Sequence, residues 1–434
     1  MIIPGSKVLD LACGNGDLLA SLECKRGVGI DISPKMIEAA RKNHPESQLE
    51  FICADIEKFD VEGKFDYIIL NGVLGEIEDI QKLFQCIKKF TTSDTRIIIN
   101  WYNHLWEPVL NFGQKIRLKM PEKIYNWLSV DDIENFLYIT GYEPISRRFL
   151  LLFPQKIPLL TTVINKFIAK LPIIERLCLV QFIVARVDKV PDNSKDLMVS
   201  VVITARDEKE NIEGLVQRIP QIGRHTEIIF VEGHSVDGTR EEINRMIKKY
   251  PEKDIKLLIQ NGIGQGDAFR KGFDNASGNF VLWLEADLTT PPEELKNFWD
   301  AYIDGKGEYL NGTRMIYEME ERAMPFINFI GNRTFGNLFT WFLGQRFTDT
   351  LCGLKGISKR NYLNIRKQMD FFGDFDPFGD FELIFGVIKN NLKVSEIPVK
   401  YKPREYGQTK TKPLKHGWLL VRMCLKAFLK FKLF

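Results

Sequence analysis

Two carboxylates one residue apart, Glu285 and Asp287, follow directly on an apolar run, Phe280 to Leu284, in the stretch NFVLWLEADLTTPPEEL. Paired hard oxygen donors suit Mg²⁺ or Mn²⁺ holding a diphosphate. This makes Glu285 and Asp287 candidate metal ligands, and Asp287 a candidate catalytic residue. Near the start of the chain, KVLDLACGNGDLL places Gly14 and Gly16 in a turn after an apolar strand, where backbone can approach a nucleotide closely. A second strand, GVGIDIS, ends in Asp31, an acid placed to accept hydrogen bonds from ribose hydroxyls. Late in the chain, YKPREYGQTK sets Arg404 and Lys410 around a glycine turn, where basic side chains can neutralise a leaving diphosphate or an acceptor phosphate.

The elements that must position these residues read as two α/β arrays. In the first, KVLDL, GVGID, FICAD and KFDYIIL are strands with helices between them, one opening at Ser33 and Pro34 as cap and first residue. In the second, MVSVVITA, EIIFVE, IKLLIQ, FVLWLE and GEYLNGT repeat the scheme. The fold class is therefore α/β with two doubly wound domains, and the acids lie at the C-terminal ends of strands, where such sheets bind ligands. The predicted boundaries are a first domain over 1–189, a polar linker over 190–197, a second domain over 198–410 and a basic amphipathic tail over 411–434.

Composition supports ordinary globular domains, with 44% hydrophobic residues in 434. Charge is unevenly spread. Residues 1–190 hold 24 basic and 24 acidic side chains, residues 191–409 hold 29 and 33, and residues 410–434 hold seven basic and no acidic ones. The net +3 comes from the tail, which argues against a nucleic-acid-binding body. Seven scattered cysteines without CxxC or Cys/His spacing predict reduced thiols in a cytoplasmic protein and no structural zinc. The N-terminus shows no basic-then-apolar leader, and no apolar run approaches the ~18 residues that span a bilayer.

The glycine turn fails the dinucleotide fingerprint, whose third glycine would fall at Leu19. It resembles instead the first motif of class I S-adenosylmethionine-dependent methyltransferases, through Asp10, Ala12, Gly14 and Gly16, with Ala12 replacing the usual first glycine. The resemblance implies S-adenosyl-L-methionine as cofactor, with Asp31 at the ribose and Asp55 near the adenine. Tyr102 and His104 in NWYNHLW stand where a methyl group could be approached. The alternative is a non-catalytic module that docks or stabilises the second domain.

The second array resembles glycosyltransferase family 2, the inverting GT-A fold using nucleotide-sugar donors. VVITARDEKENI matches its opening strand and turn through Asp207 and Glu208, FVEGHSVDGT its acidic loop through Glu232, and LEADLTT its metal segment, with glutamate in the first place. Within the family, NGTRM, DTLCGLKG and YKPREYGQTK resemble the dolichol- and polyprenyl-phosphate enzymes through Arg314, Asp349, Gly353, Arg404, Gly407, Thr409 and Lys410, with Lys355 where those have arginine. The resemblance implies donor binding by Asp207, Glu208, Glu232, Arg314, Arg404 and Lys410, with Asp267 counted among them, and a lipid-linked acceptor. Asp380 falls where many family 2 enzymes place a catalytic base and the polyprenyl-phosphate enzymes have none. A hydroxyl acceptor needs such a base. A phosphate monoester, with a second pKa of about 6, does not. The alternative reading is thus a hydroxyl acceptor with Asp380 as base. Asp374 and Asp376 read as loop acids or caps, and Asn328 stands in place of one arginine of a pair, leaving Arg333.

Two stretches bear on membranes. AMPFINFIGNRTFGNLFTWFLG is aromatic-rich and almost uncharged, and HGWLLVRMCLKAFLKFKLF places Arg422, Lys426 and Lys430 four apart near Val421, Leu425 and Leu429. The expectation is peripheral attachment at the inner face of the cell membrane, the alternative being that both stretches pack on each other as core. IPLLTTVINKFIAKLPIIERL reads as a packed helix, or a membrane-facing one.

Overall fold

The computed structural model describes residues 2–120, 124, 126–188, 196–318, 324–368, 379–404, 406 and 413–433. Gly407, Thr409, Lys410, Asp374 and Asp376 lie outside the described residues, as does most of the linker. The chain divides into two compact units, Met1–Asp188 and Lys189–Lys432.

Alternation of apolar side chains builds the first sheet. Its strands are β1 (Lys7–Leu11), β2 (Arg26–Asp31), β3 (Leu49–Cys53), β4 (Tyr67–Asn71), β5 (Arg96–Tyr102), β6 (Tyr142–Leu150) and β7 (Val180–Val187). Leu9, Leu11, Val28, Ile30, Ile68 and Leu70 pack on one face; Val8, Tyr67, Ile69 and Ile98 pack on the other. A sheet buried on both faces needs a near-continuous apolar run in its central strands, which β4 and β5 have, while the edge strands β3 and β6 carry exposed polar residues. The order is β3-β2-β1-β4-β5-β7-β6, with β1 to β5 parallel and β7 antiparallel to both neighbours. The order reverses between β1 and β4, where doubly wound sheets open a crevice at the strands' C-terminal ends. The helix Pro34–Asn43 starts as its sequence predicts, with Ser33 Oγ accepting from the Met36 N–H at 3.4 Å.

The second sheet comprises β8 (Met198–Ala205), β9 (His225–Glu232), β10 (Asp254–Ile259), β11 (Phe280–Glu285), β12 (Tyr309–Thr313), β13 (Lys355–Ser358) and β14 (Val394–Pro398). Their order is β10-β9-β8-β11-β13-β12-β14. Strands β8 to β11 are parallel, and β13 runs antiparallel between β11 and β12. Here the reversal lies between β8 and β11, whose register pairs Glu285 with Thr204. Val201, Ile203, Leu282 and Leu284 face one core; Val202, Val281 and Trp283 face the other. β13 is a strand that the sequence does not announce. Its four residues, KGIS, carry a lysine and a glycine and leave no apolar signature.

Pro292–Glu294 is a 3₁₀ turn that runs directly into the α-helix Leu295–Ile303, and Gly266 lies in the first turn of the helix Gln265–Asn275. One expectation about a helix changes. The packed helix read over residues 157–177 is instead a short helix, Leu160–Lys166, and two 3₁₀ turns, Ile168–Lys170 and Ile174–Leu177. Pro158 and Pro172 punctuate it, and most of its apolar side chains are exposed.

In the second unit, the helices Phe326–Leu343 and Pro413–Phe428 pack together. Phe339, Phe342, Leu343, Leu420, Met423, Cys424 and Ala427 share one core. Val421, Leu425 and Leu429 stay exposed on the opposite face. No described helix is long and apolar enough to cross a membrane.

Candidate functional sites

In the first unit β1 ends at Leu11 and turns through Ala12–Gly16. Gly14 and Gly16 have φ of +56° and +79°, the left-handed region that glycine enters without steric cost. Nothing lies within 4 Å of where a Gly14 Cβ would project, so the turn's backbone is open there. Ala12 sits at φ +63°, so its departure from glycine is met by local strain. Asp31 is locked to the turn: Oδ2 accepts the Gly14 N–H at 2.9 Å and Oδ1 the Ser33 N–H at 2.8 Å. The Ala54 N–H donates to the Asp31 carbonyl at 3.0 Å, which sets Asp55 beside it. Asp55 Oδ1 accepts the Glu57 N–H at 2.9 Å.

Beneath the turn Asp10 is 1% exposed, and neither carboxylate oxygen has a hydrogen-bond partner among the described residues. Burial, and then the neighbouring charge of Asp31, push its pKa up to about 7. An orphaned buried carboxylate beside an open glycine turn fits a ligand that carries positive charge, as S-adenosylmethionine does. Ile32, directly after Asp31, is 71% exposed. Tyr102 lies against Trp101 and Trp127, with Lys119 over its ring, and His104 is exposed.

In the second unit the loops after β8 and β11 meet through Arg404. Its guanidinium donates to Glu208 Oε1 and to Asp287 Oδ2, each at 2.7 Å. Asp287 Oδ1 accepts from the Thr289 N–H and hydroxyl at 3.1 and 2.8 Å, and the Lys402 N–H donates to the Thr289 carbonyl at 2.8 Å. The segment carrying Arg404 is thereby pinned along the acidic loop. Burial raises the Glu208 carboxyl above its ordinary value even against the arginine. Asp207, His234 and Leu288 all adopt positive φ, of 51°, 60° and 57°, so backbone strain is stored in the loops after β8, β9 and β11.

Glu285 accepts a hydrogen bond from the Gln265 amide. Burial, and then the Asp287 charge, push it up to about 7. Gly353 packs directly against it: a Cβ there would meet Glu285 Cδ at 2.4 Å. Arg314 and Asp349 form a buried bidentate pair at 2.6 and 2.9 Å, with the guanidinium 4.9 Å over the Tyr401 ring. Burial opposes ionisation of Asp349, but Arg314 holds it below the usual carboxylate range. Lys355, fully buried, reaches Asp380 at 2.9 Å, the Cys352 carbonyl at 2.7 Å and Asn311 Oδ1 at 3.1 Å.

The structure thus brings together Glu208, Asp287 and Arg404, with Glu285, Arg314 and Asp380 near enough for their charges to act on one another. Other predicted residues serve their own loops. Glu232 is fully buried and accepts from the Ser235 N–H and from Arg240; Asp267 Oδ2 accepts the Gly262 N–H at 2.8 Å; Asp207 Oδ1 accepts the Val236 N–H at 3.0 Å. Gln265 and Tyr401 escape sequence reasoning: each is one polar or aromatic residue among many, and only the fold sets it beside the acids. Among the described residues no three His, Cys, Asp or Glu side chains converge as a metal site. A cation here would rest on Glu285 and Asp287, a donor set that suits Mg²⁺ when substrate phosphates complete the shell.

Fold and candidate sites together describe two α/β units, each with buried carboxylates at the point where strand order reverses. Residues 2–135 match the family of methyltransferase domains, and residues 200–359 match glycosyl transferase family 2. The first unit carries a methyltransferase fold and the second a family 2 glycosyltransferase domain. Among relatives, the dolichol-phosphate mannosyltransferase of Pyrococcus furiosus is 28% identical over 50% of this chain and 60% of its own length. The undecaprenyl-phosphate 4-deoxy-4-formamido-L-arabinose transferase of Edwardsiella ictaluri is 26% identical over 49% of this chain and 62% of its own. The chain thus spans about three fifths of the length of these relatives. A solved S-adenosylmethionine-dependent methyltransferase from Mesorhizobium loti aligns over 42% of this chain and 92% of that one, at 17% identity and a TM-score of 0.33.

Proposed function

We propose that the second unit transfers a sugar, with inversion, from a nucleotide-sugar donor to a polyprenyl-phosphate-type lipid acceptor, and that the first is an S-adenosylmethionine-dependent methyltransferase. The observation that carries the first half is the contact of Arg404 with both Glu208 and Asp287 at the reversal of the second sheet. A divalent cation bound through Glu285 and Asp287 would supply charge neutralisation for the departing nucleoside diphosphate. Arg404 then has its own part: a bidentate cation set among acids is placed to move onto phosphate oxygens when these enter. Arg314, fixed by Asp349, presents a positive charge that needs no reorganisation during the reaction. Lys410 and the donor-side acids Asp207, Glu232 and Asp267 complete the proposed donor site.

The acceptor reading draws support from Lys355. A carboxylate that must abstract a proton works best free and poised near neutrality. Asp380 is instead engaged with a buried ammonium, an arrangement suited to holding position rather than to taking a proton. An acceptor already ionised, a phosphate monoester, needs no base. The attachment proposed for the tail is peripheral, at the cytoplasmic face of the membrane, where such lipids are held.

Incubating the full chain with a panel of nucleotide sugars, Mg²⁺ or Mn²⁺, and polyprenyl phosphate tests this reading. Sugar should enter the lipid extract only when the phosphate lipid is present, and Asp380→Asn, normalised to folded protein, should keep the rate within about fivefold. Transfer to a free hydroxyl, abolished in Asp380→Asn, would reverse the acceptor assignment. Calorimetry with S-adenosylmethionine tests the first unit, since a docking module should bind none.

A further inference from the structure

The first unit exposes apolar surface on a scale its own fold leaves uncovered. Phe112, Leu118 and Met120 are 62, 80 and 84% exposed, and Leu159, Phe167 and Ile173 are 82, 51 and 84% exposed. They come from two insertions, residues 105–120 after β5 and residues 151–177 between β6 and β7. The insertions are stitched together: Trp106 Nε1 donates to the Leu177 carbonyl at 2.8 Å, and Asn103 Nδ2 to the Arg176 and Cys178 carbonyls at 2.8 and 3.0 Å. Monomeric soluble proteins seldom expose so many large apolar side chains on two linked segments without a use for them.

Charge selects the occupant. The two insertions hold seven basic side chains and two acidic ones, whereas the rest of residues 1–190 holds 17 basic and 22 acidic ones. Lysines and arginines interleaved with exposed large apolar groups match an anionic bilayer, which takes the apolar tips into its interface and the cations at its headgroups. A protein partner of ordinary surface would ask for fewer cations at the core of the contact.

Position agrees. Tyr102, Val180 and Leu150 are register partners, so both insertions leave the sheet at the end where β1 and β2 deliver Gly14 and Asp31. We propose that this face of the first unit docks on an anionic lipid surface, independently of the C-terminal helix. Docking stands without the methyl-donor reading. If that reading holds as well, the bilayer lies at the end of the sheet where a methyl acceptor must enter.

The test is flotation of the full chain with vesicles of phosphatidylcholine alone or with one quarter phosphatidylglycerol. A triple variant, Leu118→Glu, Leu159→Glu and Ile173→Glu, changes only side chains at least 80% exposed, so folding should survive; circular dichroism and the thermal transition check this. Wild type should float with the anionic vesicles, more weakly as salt rises, and the triple variant should partition about tenfold less. A Trp418→Glu, Leu425→Glu variant of the C-terminal helix should retain the part of flotation that the triple variant loses. Unchanged flotation of a folded triple variant would overturn the proposal, as would equal binding to neutral vesicles. So would a vesicle-free dimer that the triple variant converts to monomer, since the occupant would then be a second copy. S-adenosylmethionine binding is titrated separately, so its absence would remove the cofactor reading and leave the flotation result standing.

Discussion

The two units solve the same topological problem and leave Asp10 of the first in the opposite condition to most acids of the second, Glu285 excepted. Each sheet reverses strand order once in its parallel part and gathers carboxylates at that point. In the first unit Asp10 is buried without a partner among the described residues, beneath a turn whose Gly14 faces open space. In the second, Glu208, Asp287 and Asp349 are each tied to an arginine and Asp380 to a lysine. The first site awaits positive charge, and the second supplies its own. A ligand entering the first gains an interaction at once; a cation entering the second must displace a guanidinium. The contrast is the one expected between a site for a cationic cofactor and a site for an anionic diphosphate.

The largest expected effect breaks the second site. Asp287→Ala should lower glycosyl transfer by about 10³-fold, the scale seen when one electrostatic contributor to a transition state is removed. Arg404 would still be held by Glu208, so the thermal transition should move little; steady-state kinetics beside a melting curve separates the two effects.

The next tests the first site through pH. Asp10 has a folded pKa of about 7, against 3.8 for an unperturbed group. Between those values the folded state holds a proton that the unfolded chain has released, so stability falls as pH rises and the full cost is present above about pH 7. A separation of that size between folded and unfolded chain corresponds to about 4 kcal/mol. Asp10→Asn should therefore stabilise the unliganded first unit by up to that amount at pH 8 and hardly at all at pH 4, read by urea denaturation at both. Affinity for S-adenosylmethionine should rise from pH 5 to 8 in the wild type and stay flat, and weaker, in the variant. A wild-type affinity independent of pH would remove Asp10 from the cofactor's neighbourhood.

A smaller change probes how the acids of the second site are packed. Gly353→Ala forces a methyl group into the Glu285 carboxylate, and overpacking of this kind costs about 1–3 kcal/mol. The thermal transition of the second unit should drop accordingly, with activity falling further because Glu285 must swing away. A neutral outcome would mean that Glu285 is free to move, and hence a weaker candidate ligand.

How much of this could be read from residue order follows from range. Strands β4, β5, β8, β9 and β11 announce themselves because each buries most of both faces and so carries a long apolar run, whereas the edge strands β3 and β10 expose Glu50 and Lys256. Ser33 is legible as a cap because capping is local: the bond spans three residues. Asp10, Gly14, Asp31, Glu285 and Asp287 stand out because each sits at or next to a strand's end. What could not be read is whatever spans long separations. The bond from Arg404 to Glu208 crosses 196 residues, that from Gln265 to Glu285 joins two elements, and the Lys355–Asp380 pair depends on a strand with no apolar signature. The stretch 157–177 misleads for a different reason. Its apolar spacing is helical, but its prolines divide it, and spacing alone does not say whether an apolar face meets core or something outside the fold.

The finest test of the contrast is Arg404→Gln. In the unliganded second unit the guanidinium occupies the oxygens of Asp287 and Glu208 that a divalent cation would otherwise find exposed. A glutamine keeps polar contact with one acid but removes the charge, so Mn²⁺ alone should bind about three- to tenfold more tightly, a gain of about 1 kcal/mol that matches one partly screened ion pair. The nucleoside diphosphate, tested next with Mn²⁺ present, should bind more weakly, because the cation that would follow its phosphates is gone. The two changes have opposite sign, and no general loosening of the fold produces both. Electron paramagnetic resonance of free Mn²⁺ gives the first and calorimetry the second. If Mn²⁺ binds the variant no better than the wild type, Arg404 is a structural clasp, and the second site is as open to cations as the first.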